Sequence, residues 1–158
     1  MKLSDAETLA QDLFAQHGLK KWTFQFDRAK VRFGLCNFCD RVISLSRHLT
    51  ELNDEAIVRN TILHEIAHAL VGRRHAHDKV WKAKAIEIGC DGARRYHSGS
   101  INTPALKYSA TCSSCTKIYQ SQRKRARVAC GICCKTHNRG KFSDQFRLTF
   151  SESLAELS

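Results

Sequence analysis

No stretch of this sequence approaches the roughly 20 consecutive apolar residues of a membrane-spanning helix, and there is neither an internal repeat nor a low-complexity tract. The opening MKLSDAETLAQDL carries acids and lacks an apolar h-region, which argues against a secretory leader and leads us to expect a cytoplasmic protein. Acids are scarce overall: 15 Asp and Glu stand against 26 Lys and Arg, a formal charge of +11. That imbalance points to a polyanionic partner such as nucleic acid more than to any fold. A chain of 158 residues suffices for one medium domain, or for a core domain with an appendage too small to bury a core of its own. Such an appendage needs a staple, and in a reducing compartment the eight cysteines suit metal better than disulfides.

Residues 4–17 read as an amphipathic helix. Ser4 and Glu7 have capping-box spacing, Leu9, Leu13 and Phe14 supply the apolar face, and Gly18 closes it. Alternation at Trp22, Phe24 and Phe26, then at Val31, Phe33 and Leu35, predicts two strands, with Val42–Ser46 a third. The expected result is a helix followed by a small, mostly antiparallel sheet. Asn53, Asp54 and Glu55 then cap a long helical pattern that runs to Gly72, and a further helix is expected from Asp78 to Ile88, stopped by Gly89. The polar, interrupted segment from Gly92 to Pro104 places a domain boundary near residues 98 to 106.

The long helix carries His64-Glu-Ile-Ala-His68. Residues four apart on a helix share a face, so both imidazoles can reach one metal ion about 2.0–2.1 Å away. Glu65 projects beside them without ligating, as a general base for metal-activated water requires. A catalytic zinc usually keeps three protein ligands and one open position. His75 and His77, in the loop that follows, are the candidates for the third. His77 directly precedes the next helix, whose Trp81 can pack it against the first; His75 is the alternative, or a substrate contact.

The run HEIAHALVGRRHAHDKVW resembles the SprT-like, or Spartan, family of zinc metalloproteases, whose pattern is H-E-x-x-H, a variable loop and a His four residues before an aromatic. The resemblance puts the third ligand at His77 and the aromatic at Trp81. Phe33-Gly-Leu-Cys36 and Ile43–Ser46 resemble the strand region ahead of the active helix, and the similarity covers most of residues 5 to 92. Where many members have Gly-Pro after the third histidine, this chain has Asp78-Lys79.

Cys112-Ser-Ser-Cys115 and Cys130-Gly-Ile-Cys133 are two C-x-x-C pairs at ribbon spacing. They predict a closed, structural four-thiolate zinc site. Cys133 keeps the register better than its neighbour Cys134. Cys36 and Cys39 read as strand residues and Cys90 as buried packing. Between the pairs, residues 117–129 read as a two-stranded hairpin with a basic tip. From residue 100 onward ten Lys or Arg face three acids, so positive charge concentrates here. Arg123, Lys124, Arg125 and Arg127 are candidate phosphate contacts, with Tyr119 available to stack on a base.

The sequence thus leads to an α+β, zincin-like protease domain at residues 1–98, a basic zinc ribbon at 106–140 and a tail at 141–158. One catalytic and one structural zinc are expected. By the resemblance, the substrates are proteins bound or crosslinked to DNA, the role is in DNA repair, and the chain is associated with the nucleoid. Tyr96 and His97 are candidate donors to the oxyanion. The competing reading is a DNA-binding zinc protein or regulatory factor whose HEIAH site is inactive or structural. Glu65 separates the two, since a structural site has no use for that carboxylate.

Overall fold

In the computed structural model, which describes residues 1–96 and 101–153, the chain divides into two compact units, Met1–Pro104 and Ala105–Ser158. In the first, α1 (Leu3–Gln16) leads into β1 (Thr23–Asp27), β2 (Gly34–Asn37) and β3 (Val42–Ser46), then α2 (Arg47–Leu52), α3 (Glu55–Val71) and α4 (Lys79–Glu87). The architecture is mixed α+β with small sheets. The capping box at Ser4 does not form: α1 begins at Leu3 after Lys2, which makes no side-chain cap, and Ser4 Oγ bonds Asp5 Oδ1 at 2.9 Å. α3 does start as expected, with Asp54 accepting from the Ile57 amide, and Gly72 ends it at φ 84°.

The sheet departs from the antiparallel expectation. Its order is β1-β3-β2, with β1 and β3 parallel and β2 and β3 antiparallel. Alternation identifies a strand but carries no information on its partner's direction. α2, capped by Ser46, had no distinct sequence signal in its six residues.

α3 is buried on more than one side, through Val58, Thr61, Ile62, Leu63, Glu65, Ile66 and Ala67. It packs against α1, α4 and the sheet, as a central helix must when its apolar positions exceed a single stripe. The core around it joins Leu13, Ile43, Leu45, Leu49, Ile62, Ile66 and Trp81. Two consequences position the site. The HEIAH turn lies on a fully supported helix, and β2, at the sheet edge, runs past it.

In the second unit β4 (Tyr108–Thr111) pairs antiparallel with β5 (Ile118–Ser121) and with β6 (Ser151–Glu152); α5 spans Gly131–His137. The hairpin is therefore formed around the first C-x-x-C, whose residues make its turn. The expected hairpin between the two pairs is absent among the described residues: residues 122–129 leave β5 as a loop, which a bridge from Ala129 to Arg147 ties back to the unit. Cys130 caps α5, so the second pair occupies a helix start.

Candidate active site

His64 and His68 stand one turn apart on α3, and the α3–α4 loop brings His77 to them. His77 Nε2 lies 3.0 Å from Nε2 of His64 and 3.0 Å from Nε2 of His68, and all three donor atoms fall within 4.8 Å of one another. Two nitrogens bound to one zinc at the tetrahedral angle lie about 3.3 Å apart, so this donor set has the spacing a single ion requires. Burial holds the His64 and His68 rings down to about 4, with the charge of neighbouring histidines adding to the effect. Their lone pairs are thus available at neutral pH. The backbone of Ala93 hydrogen-bonds His64, and that of His75 hydrogen-bonds His68. With each Nε2 turned inward, such outer contacts fix ring orientation.

His77 reaches the cluster from a left-handed backbone, φ 61°, a conformation uncommon outside glycine. His75 points elsewhere: its Nδ1 lies 2.8 Å from Asp78 Oδ2, while Asp78 Oδ1 accepts from the Trp81 amide and caps α4. The helix cap thereby holds His75 away from the other three. Trp81, only 1% exposed, touches every ring of the cluster, its centroid 4.7, 5.1 and 4.5 Å from those of His64, His68 and His77.

Glu65 is 8% exposed. Burial pushes its carboxyl up to about 7, against the opposing charge of Arg32 and a hydrogen bond from the Cys36 backbone. A carboxylate with a pKa near the working pH is well matched to taking and returning a proton. Its seat is the outer edge of β2. Ser46 N–H donates to Phe33 O at 2.7 Å, and Leu35 stands opposite Ser44. By antiparallel alternation Gly34 and Cys36 then turn their backbone groups outward. One of these, Cys36 N–H, meets Glu65. At Gly34 a Cβ would lie 2.5 Å from Glu65 Oε1 and 2.8 Å from its Cγ, so only glycine leaves room for the carboxylate. No local sequence signal marks this glycine, because the side chain it makes room for comes from a different element.

The cluster lies in a cleft of about 810 Å³ bounded by residues 31–36, the α3–α4 loop and residues 91–96. A family model, the SprT-like family, matches residues 4–103, which takes in every element of this site. The chain belongs to the SprT-like family. That membership marks the first unit as a domain of the zinc metalloprotease type. A comparison with curated proteins found no match. The SprT-like unit also holds Tyr96 beside the cleft, but its hydroxyl donates to Ile57 O at 3.0 Å and lies 2.6 Å from Thr61 Oγ1. Its proton is engaged with α3, against a role as oxyanion donor. His97 lies outside the described residues.

Outside the SprT-like match, Cys112, Cys115, Cys130 and Cys133 gather into a second metal-competent group, compatible with a zinc-ribbon module. Cys134 is buried beside it in the small core and is not a member. The Cys130 thiol is pulled down to about 6 by the Cys133 amide and the Tyr119 hydroxyl. Tyr119 is thereby accounted for: its hydroxyl lies 3.1 Å from Cys130 Sγ and its ring is half-buried. Arg123, Lys124, Arg125 and Arg127 are exposed on the loop, the last with its guanidinium 5.4 Å above the Phe142 ring. In the first unit, Cys36 is a strand residue, Cys39 belongs to the following turn and Cys90 is buried. No described helix is long and apolar enough to cross a membrane.

Proposed function

We propose that this protein is a zinc-dependent endopeptidase that acts on proteins bound or crosslinked to DNA, with His64, His68 and His77 as ligands and Glu65 as base. The observation that carries the reading is the convergence of three neutral imidazoles next to a buried carboxylate held on a strand edge. Zinc bound by such a set polarises a peptide carbonyl and lowers the pKa of water toward about 7. The chain's own groups supply the rest. Glu65 takes the proton of the attacking water and returns it to the leaving amine. The outward carbonyls of Gly34 and Cys36 can accept from an extended peptide laid along β2, while the Cys36 amide stays with Glu65. Trp81 fixes the three rings.

Gly34→Ala tests the seat of the base. Displacing a catalytic group by about 1 Å can cost roughly 10²-fold in rate. The variant is expected to lose activity on that scale while its zinc content, measured by atomic emission, is unchanged. Equal activity would show that Glu65 need not sit where β2 holds it.

The exposed basic loop supports DNA as partner. Each phosphate contact contributes about 0.9 to the slope of log affinity against log salt on duplex DNA. Alanine at Arg123, Lys124 and Arg125 should therefore flatten that slope by roughly 2 to 3 units, read by fluorescence anisotropy. The test of the whole reading is incubation of wild type with a DNA-bound protein, with and without DNA. Cleavage stimulated by DNA supports it. Zinc and DNA binding with no cleavage of any protein favours a regulatory DNA-binding factor.

A further inference from the structure

The cleft over the histidines carries a charge pattern that hydrolysis alone does not use. Four arginines from three separate segments line it: Arg32 ahead of β2, Arg73 after α3, and Arg94 and Arg95 in the 91–96 segment. Arg32 is committed to Asp27 at 2.7 Å. Arg73, Arg94 and Arg95 are exposed and, among the described residues, take part in no ion pair. The same lining holds two acids against these four arginines. Glu65 is buried against β2, and Asp91 Oδ1 is turned into its own loop, accepting from the Ala93 amide at 2.8 Å.

A concave surface of one sign raises the local concentration of ligands of the other, and guanidinium groups match carboxylates in geometry as well as charge. A phosphodiester chain calls for a linear track of cations with rings on which bases stack. Here the arginines come from three separate segments, and two of the aromatic rings in the lining, Phe33 and Tyr96, are packed into the core. Val31, Leu35 and Phe38 also line the cleft, suited to apolar side chains, as does the β2 edge, where the carbonyls of Gly34 and Cys36 turn outward. These features fit a polypeptide.

We propose that this cleft selects polypeptide segments bearing Asp or Glu close to the bond to be cut, with Arg73, Arg94 and Arg95 as the specificity-determining residues. The inference rests on the endopeptidase reading above and gives it a substrate class. It also suits a target seated on DNA. Basic segments of such a protein lie against phosphate while acidic ones are repelled, so the cleft takes the part that nucleic acid leaves uncovered.

The test uses the full-length Glu65→Gln protein loaded with zinc, which binds without turnover, and two labelled ten-residue peptides. They differ only in having four Asp or Glu, or the matching Asn or Gln. An exposed ion pair contributes roughly 1.4- to 5-fold in affinity. Three arginines should therefore give the acidic peptide an advantage of about tenfold at low salt, fading toward equality as salt rises to about 0.5 M. Adding Arg94→Glu and Arg95→Glu should abolish or invert the preference, and Gln at both should weaken it, which guards against a reversal that disturbs folding. Equal affinity for the two peptides overturns the proposal. So does a preference that survives the reversal, since it then arises elsewhere on this basic chain. An oligonucleotide that loses affinity with the reversal while the peptides bind alike would assign the arginines to nucleic acid. Acid-selective binding lost on reversal, in a protein whose wild type cuts nothing, leaves the preference standing and removes only the hydrolysis.

Discussion

Replacing Glu65 with Gln is expected to lower peptide hydrolysis by about 10³-fold, within the range general base catalysis contributes, while three imidazoles keep their metal. Glutamine has the same shape and an oxygen for the Cys36 amide, but it cannot accept the proton. The stability effect runs the other way. In the metal-free protein the carboxyl sits at about 7, above its unfolded value. The folded state then binds more protons than the unfolded state between pH 4.5 and 7, and stability falls as pH rises through that window. Above it, the buried charge costs roughly 3 kcal/mol. The metal-stripped variant should therefore melt several degrees above metal-stripped wild type at pH 8, with the two curves meeting below pH 4.5. Activity retained in Glu65→Gln would sink the mechanism. Equal melting at pH 8 would show that the carboxylate is not desolvated as described.

Cys112→Ser should unfold the second unit. That unit's buried core consists of Ala110, Cys112, Cys130, Cys133, Cys134, Phe146, Leu148 and Phe150, of which three cysteines, with Cys115, form the thiolate group. A unit of this size cannot stand on so small a core without a staple. Structural zinc contributes on the order of 10–16 kcal/mol in comparable sites, so losing one of four thiolates removes more stability than a small domain possesses. Zinc content is expected to fall from two ions per chain to one. Amide exchange should become fast across residues 105–153 and stay slow in α3. A variant that keeps two ions and protected amides in β4 and α5 would mean that the cluster is not what holds the unit together.

What could be read in the sequence were the features written in one short stretch. Asp54 and Gly72 bracket α3, and the histidine spacing and paired cysteines state their geometry directly. The features that escaped depend on contacts between distant segments. The parallel pairing of β1 with β3 needs a partner's direction that alternation does not hold. Ser4 and Glu7 match a capping pattern, yet α1 starts a residue before it. Tyr119 reads as an aromatic among basic residues, and only the fold brings its hydroxyl to Cys130. Gly34 is one glycine in a strand, and its importance exists only once Glu65 is set 31 positions later against it.

The open side of β2 has another consequence. A strand at the rim of a sheet, with unsatisfied backbone groups, is a template on which a second molecule can grow a sheet, and soluble proteins blunt such rims with short strands and charges. β2 is four residues long, and the carboxylate of Glu65 occupies its Cys36 amide. The residue assigned to proton transfer thus also guards against self-association, so the protein's colloidal behaviour and its chemistry meet at one side chain.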